Sequence, residues 1–176
     1  SAVAAKAQGS VADMGAPLNQ AGLVAHSTGL TIDETATALT AFASAGLTGS
    51  DAGTSLKTML QRLTPTSAEA KAKFTELGIS AYDASGNFVG LANFSGQLRD
   101  SMSGLTPEAR NAAMAVMFGS DAVRAANILY EQGEPGIRKW SAAVNDTGHS
   151  TRTAATLMDN LNGDVNKLGG SFDSVF

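Results

Sequence analysis

Thr31-Ile32-Asp33-Glu34-Thr35-Ala36-Thr37-Ala38-Leu39-Thr40-Ala41-Phe42-Ala43-Ser44-Ala45-Gly46, followed at once by Leu47-Thr48-Gly49-Ser50-Asp51-Ala52-Gly53-Thr54-Ser55-Leu56-Lys57-Thr58-Met59-Leu60, reads as two capped helices joined by a glycine turn. Thr31 and Glu34 form a capping box: the threonine oxygen accepts from the amide three residues on, and the glutamate reaches back to the cap. Asp33 and Glu34 also place negative charge at the positive helix end. Ile32, Ala36, Leu39 and Ala43 recur at helical spacing with Phe42 beside them, and Gly46 stands where a left-handed C-terminal residue is wanted, so a helix is expected over about residues 32–45. Ser50-Asp51 caps the next helix, whose stripe is Ala52, Leu56, Met59, Leu60 and Leu63, with Lys57 and Arg62 off its centre. Thr64-Pro65 ends it. The short connection favours an antiparallel pair.

The same signals extend in both directions. Upstream, to about His26, the pattern is helical but broken by Gly9, by Gly15-Ala16-Pro17 and by Gly22. Downstream, Thr66-Ser67-Ala68-Glu69 reads as another capping box, leading a helix with Ala70, Phe74 and Leu77 inward and Gly78 as its stop. The period then changes. Ile79-Ser80-Ala81-Tyr82 and Asn87-Phe88-Val89 flank Asp83-Ala84-Ser85-Gly86, the pattern of a hairpin with glycine at a positive-φ position. Helical spacing resumes from Asn93 to Ser103, and again after Thr106-Pro107-Glu108, where threonine caps and proline takes the first turn. Gly119-Ser120-Asp121 starts another helix that buries Ala122, Val123, Ala126 and Leu129. A further helix covers Glu134 to Val144 with Ile137, Trp140 and Val144. The last runs from Thr151 to Leu168, before Gly169-Gly170.

The fold class expected is therefore mainly α, a compact bundle of roughly six to eight short helices with one small β-hairpin near residues 79–90. Three regions are expected: an N-terminal helical segment at 1–28, a core module at 29–145, and a C-terminal helix at 146–176. The chain opens in mid-pattern with Ser1-Ala2-Val3-Ala4-Ala5-Lys6, which reads as a piece of a longer protein with the outer segments continuing upstream and downstream.

Composition narrows the chemistry. A chain of 176 residues buries about 70% of its unfolded surface and needs no covalent staples. It has no cysteine, which excludes disulfides, thiolate metal sites and cysteine nucleophiles. The formal charge is −4, and the twelve Lys and Arg are scattered singly, so no basic stripe is offered to a phosphate backbone and no specific nucleic-acid binding is expected. No apolar run reaches membrane-spanning length, and no basic-then-apolar signal pattern opens the sequence. Aromatic residues are 6% and charged residues 16%, the latter below the usual quarter or so, while alanine and glycine abound. Small side chains let helices approach closely but bury little apolar area each, which implies modest stability.

Each candidate for chemistry has a plainer reading. Gly46 to Gly53 resembles a phosphate-binding loop, but such a loop needs glycine directly before Lys-Ser/Thr, and Lys57-Thr58 follows Leu56 inside the helix stripe. Asp83-Ala84-Ser85-Gly86-Asn87 resembles a calcium loop, yet the place of the bidentate acid is held by Phe94. His26 and His149 stand far apart, and neither has a second histidine at helical metal spacing. Asp33, Glu34, Asp51, Glu69, Glu108 and Asp121 all fall in predicted first turns, which explains them without catalysis. Trp140 has no second aromatic interleaved with Arg138 and Lys139, so it reads as a core or interface anchor. No catalytic, cofactor-binding or metal-binding residues are assigned, and no cofactor is expected.

Four landmarks in order give a resemblance. Gly29 through Leu56, with its Ala-Gly turn and Ala52-Gly53-Thr54-Ser55-Leu56 helix start, the Leu-Gly-Ile element at Leu77 to Ile79, the Asp-x-x-Gly-Asn turn at Asp83 to Asn87, and Phe118-Gly119 before an alanine-rich helix together resemble the core region of phage tail tape measure proteins. The resemblance covers about residues 22–145. It implies a structural part of a bacteriophage or prophage tail, not an enzyme, in a protein that sets tail length while tube subunits polymerise around it and that leaves at DNA ejection. It further implies the tail tube protein, assembly chaperones, baseplate or tail-tip proteins and other copies of itself as partners, with contact between the parent protein and the host envelope at ejection. The expected place is the tail tube lumen of the virion, and the bacterial cytoplasm before assembly. A different class, a helical interaction domain of a bacterial surface or secretion protein, is the alternative; a peptidoglycan hydrolase module lacks any catalytic pair here.

Overall fold

Local capping chemistry sets several helix limits in the computed structural model, which describes residues 15–146. Seven α-helices and one short 3-10 turn result: α1 Gly15–Thr28, α2 Ile32–Ser44, α3 Gly49–Gln61, α4 Ala68–Leu77, α5 Leu91–Met102, α6 Pro107–Phe118, the 3-10 turn Ser120–Ala122 and α7 Val123–Asp146. The Thr31 capping box is formed: the Glu34 amide donates to Thr31 Oγ1 at 3.0 Å and the Thr31 amide to Glu34 Oε1 at 2.9 Å. Thr106 likewise accepts from the Ala109 amide, with Pro107 in the first turn. Gly46 and Gly78, at φ +90° and +70°, follow the ends of α2 and α4 as expected, each allowing the next amide to fold back onto a helix carbonyl. The predicted C-terminal helix at 151–168 lies outside the described residues.

Several local expectations need correction. α1 runs unbroken through the buried Gly22, and Pro17 sits in its first turn, where the amide it lacks has no intrahelical acceptor anyway. The cap of α4 is one residue later than read: Ser67, not Thr66, accepts, from Ala70 at 3.1 Å. α3 begins at Gly49, so Ser50 and Asp51 lie in its first turn, and its cap position, Thr48, makes no side-chain cap bond.

The β-hairpin does not form. The chain does reverse at Asp83 to Asn87, with Gly86 at φ +82°, but only one isolated antiparallel bridge, Tyr82 with Phe88, is present, and there is no strand among the described residues. Two antiparallel bonds are made, from the Asp83 amide to the Asn87 carbonyl at 2.8 Å and from the Val89 amide to the Ala81 carbonyl at 2.9 Å, but Gly90 at φ +99° then turns the chain into α5 at Leu91, so the pairing cannot extend.

Packing follows distance in space more than distance in sequence. α1 lies chiefly on α3, α5 on α7, and α2 on α7, with α4 against α6; α2 and α3 touch much less despite their short turn. α2 is central: Thr35 through Phe42 are all buried, where a single apolar stripe was expected. Thr35 and Thr37 tolerate this because they return their hydroxyls to the Thr31 and Asp33 carbonyls, at 3.0 and 2.7 Å, whereas the buried Thr40 hydroxyl has no partner among the described residues. Alanines at 36, 38 and 41 keep α2 thin enough to be surrounded. At the α1–α3 crossing, a Cβ on Gly53 would stand 2.3 Å from Gln20 Cβ and 2.8 Å from the Pro17 carbonyl, so only glycine permits the approach.

Aromatic residues fill the other end. Phe74 of α4 meets Phe118 of α6 edge-on at 5.7 Å between ring centroids, and Phe118 meets Phe94 of α5 at 6.2 Å. Trp140 is buried within the same apolar core. Among the described residues no helix is long and apolar enough to cross a membrane.

Candidate functional site: assembly surfaces and interhelical caps

The polar side chains with the most elaborate bonding are structural. Gly90, the cap position of α5, has no side chain to offer, and the Leu91 amide is satisfied by Glu34 Oε2 at 2.6 Å, across 57 residues. Ser55 of α3 accepts from the buried Ala125 amide in the first turn of α7, at 3.3 Å. Arg99 of α5 donates to the Glu131 carbonyl at 3.2 Å. Sequence reading misses all three, although a capless glycine before a helix is a signal that an acceptor must come from elsewhere.

Residues singled out from the sequence are placed as follows. In the Gly46–Gly53 turn, the Gly46 and Leu47 amides donate to carbonyls of α2 and the Ala52 amide to the Thr48 carbonyl, and Asp51 places a carboxylate in the first turn of α3, where a bound anion would sit. The cleft beside it is lined by Leu47, Asp51, Thr54, Ser55, Asp121 and Arg124, and its two carboxylates oppose a phosphate. Asp83 Oδ1 accepts from the Ser85 and Asn87 amides at 2.9 and 3.0 Å, which closes the turn upon itself. His26 is exposed at the end of α1, and His149 lies outside the described residues. Asp33, Glu34, Asp51, Glu69, Glu108 and Asp121 all occupy first turns. Among the described residues no group of three or more His, Cys, Asp or Glu could hold a metal ion.

A groove of about 390 Å³ runs along the second half of α7, between Ile137, Arg138, Ser141 and Ala142 on one side and Glu34, Leu91 and neighbouring residues of α2 and α5 on the other. Its charged groups are engaged, Glu34 by two backbone amides and Arg138 by Glu134 at 2.7 Å. Elsewhere the surface is solvated and mixed in sign, as on α4, where Lys73 pairs with Glu76.

Comparison with known proteins decides the family. The family model described as phage-related minor tail protein matches residues 1–119. The chain belongs to the phage-related minor tail protein family. Among relatives, it is 37% identical over 174 residues to the tape measure protein of Pneumococcus phage Dp-1, covering 98% of this chain and 15% of that protein. It is 30% identical over 164 residues to the probable tape measure protein of Escherichia phage P2, covering 90% of this chain and 20% of that one. The chain thus spans a fifth or less of the curated relatives it matches. No solved structure matches it. The minor tail family match contains all four landmarks; it runs from residue 1 to 119, whereas the resemblance covers about residues 22–145. A surface or secretion interaction domain is not favoured by these relatives.

Proposed function

We propose that this chain is a folded region of a phage tail tape measure protein, the component that sets tail length during tube assembly and is released when DNA is ejected. The observation that carries the reading is the 37% identity to a tape measure protein along 98% of the chain. The role is structural and not enzymatic. Its partners are the tail tube subunits, assembly chaperones, baseplate or tail-tip proteins and further copies of itself, and its place is the tube lumen, after the bacterial cytoplasm.

The geometry supports an organising part within such a protein and not the ruled part. A ruler measures by continuous rise, and residues 15–146 as one helix would span about 200 Å. Instead, helices such as α2, α4 and α6 end at their own caps, and the whole folds back to a span on the order of 40 Å, the size expected of a globule of this length. The alanine-filled core, with its small apolar area per residue, suits a unit that must later give way.

The test is an in-frame deletion of residues 1–176 from the parent gene, with tails imaged by electron microscopy. Absent tails, or tails of uncontrolled length, support an organising part in the tape measure. Tails shortened uniformly by roughly 200–260 Å, the helical rise of the deleted residues, would make the segment part of the ruler instead. Normal tails in normal number overturn the assignment.

A further inference from the structure

α2 carries three threonines in its buried stretch, and they are not alike. Thr35 and Thr37 are each 1% exposed, and each hydroxyl donates to the carbonyl four residues back, the ordinary way a helical threonine enters a core. Thr40 is fully buried, and its Oγ1 does not use the Ala36 carbonyl that stands in the same relation to it. Ser95 of α5 repeats the pattern. It is fully buried and its Oγ is unpartnered, although Ser44 of α2 and Ser101 of α5 each donate to a carbonyl three residues back. Thr40 Oγ1 and Ser95 Oγ are the buried side-chain polar atoms left without a hydrogen-bond partner among the described residues.

Both stand where the fold packs most closely. α7 lies chiefly on α5 and α2, the helices that carry Ser95 and Thr40. Their chain neighbours are apolar and buried, Leu39 and Ala41 beside Thr40 and Phe94 beside Ser95. A hydroxyl taken out of water with nothing to bond costs its full desolvation, which lowers a folding equilibrium constant by about 5- to 100-fold per group. Solubility requires neither hydroxyl, since neither reaches the surface. Valine matches threonine in outline and in helix propensity, and alanine would fill the place of Ser95, so apolar side chains could occupy both positions without that cost.

We propose that Thr40 and Ser95 are built-in weak points, which hold this core below the stability its packing would otherwise give and so let the region come apart on demand. The proposal rests on the reading of the chain as a tape measure region that must give way when DNA is ejected. It adds that the ease of opening is set by two named hydroxyls and not by the alanine-rich composition alone.

The experiment is equilibrium urea unfolding of the 176-residue chain, unmodified and as Thr40→Val, Ser95→Ala and the double variant. Thr37→Val is the control, because its hydroxyl is bonded on the same helix at 2.7 Å. Thr40→Val is expected to raise the urea midpoint at unchanged slope and to lower the unfolding equilibrium constant at least about fivefold. Thr37→Val should lower the midpoint or leave it in place. Ser95→Ala should also raise it, but part of that gain reflects the helix propensity of alanine, so Thr40→Val is the decisive variant. A Thr40→Val midpoint that falls as it does in Thr37→Val shows the Thr40 hydroxyl bonded in solution and overturns the proposal. The double variant, placed in the parent gene, is expected to give tails of normal length and to slow DNA release from particles mixed with host cells. Release at the unmodified rate, from particles whose region is stabilised in urea, also overturns the proposal and leaves untouched the tape measure assignment that the deletion tests. Should the double variant fail to fold, Thr40→Val alone serves in both measurements.

Discussion

Glu34 Oε2 accepts the Leu91 amide at 2.6 Å while its Oε1 accepts the Thr31 amide at 2.9 Å, so one carboxylate caps the N-termini of two helices that are 57 residues apart. α2 needs this locally, and α5 needs it because Gly90 brings no acceptor of its own. The shared cap fixes the start of α5 against the start of α2.

Removing the two roles separately should give unequal costs. Thr31→Ala loses one side-chain bond to the start of α2 and is expected to cost about 1 kcal/mol. Glu34→Gln keeps one carbonyl oxygen for two amides and turns an NH2 toward a donor, so it should cost more, roughly 1–3 kcal/mol, as charged acceptors do when withdrawn from backbone donors. Urea midpoints of the two variants check the order; a smaller effect for Glu34→Gln means that the Leu91 bond contributes little.

Gly53→Ala is expected to be more damaging than alanine at Gly96, whose new carbon would meet a side chain at 3.2 Å. At Gly53 the added carbon would overlap Gln20 Cβ and the Pro17 backbone, and backbone cannot rotate away as a side-chain tip does. A cost of roughly 1–3 kcal/mol or more follows from overpacking, with faster amide exchange concentrated in α1. Gly104→Ala, with nothing within 4 Å of its new carbon and no positive φ, is the control and should be neutral or slightly stabilising. Equal thermal shifts in the two variants would remove the argument for a close α1–α3 crossing.

Several features set within one turn of chain were legible in the sequence, although the caps of α3 and α4 were misplaced, and features set across the fold were not. The Thr31–Glu34 box, the Thr106-Pro107 start and the stops at Gly46 and Gly78 depend on neighbours three to five residues away, and all four are present. The burial of α2 on all sides from Thr35 to Phe42 was hidden because threonine reads as polar until, as at Thr35 and Thr37, its hydroxyl is seen bonded to the carbonyl four residues back. The hairpin failed for a non-local reason: the turn at Asp83 is local and correct, whereas the pairing stops where Gly90 turns the chain into α5, whose start is held by Glu34. For candidate sites, carboxylates read as helix starts are found there, but the second partner of Glu34, the reach of Arg99 and the cap from Ser55 lie 57, 32 and 70 residues away. No periodicity encodes such distances.

Calcium should leave the protein unchanged. Asp83 Oδ1 already accepts two amides of its own turn, and a cation would have to displace them without a bidentate acid at Phe94. Melting temperature with excess calcium and with a chelator is expected to agree within error. A rise on adding calcium that vanishes in Asp83→Ala would instead establish a cation site at this turn.

Phe118 joins α6 to both α4 and α5, since its ring stands edge-on to Phe74 at 88° and to Phe94 at 80°. It is fully buried, and Gly119 after it ends α6 and turns the chain toward α7, which gives a physical reason for the Phe-Gly landmark. Phe118→Leu keeps most of the apolar volume but loses two aromatic contacts, each contributing about 0.5–1.5 kcal/mol beyond burial. Phe118→Ala adds a cavity and is expected to cost roughly 3–5 kcal/mol, enough to unfold a domain of modest stability. Phe74→Leu, at the rim of the same cluster and 8% exposed, should cost less than Phe118→Leu because it loses one edge-on contact and not two. Urea denaturation of the three variants gives the ranking, and a Phe74→Leu loss equal to that of Phe118→Leu would place the centre of the cluster elsewhere.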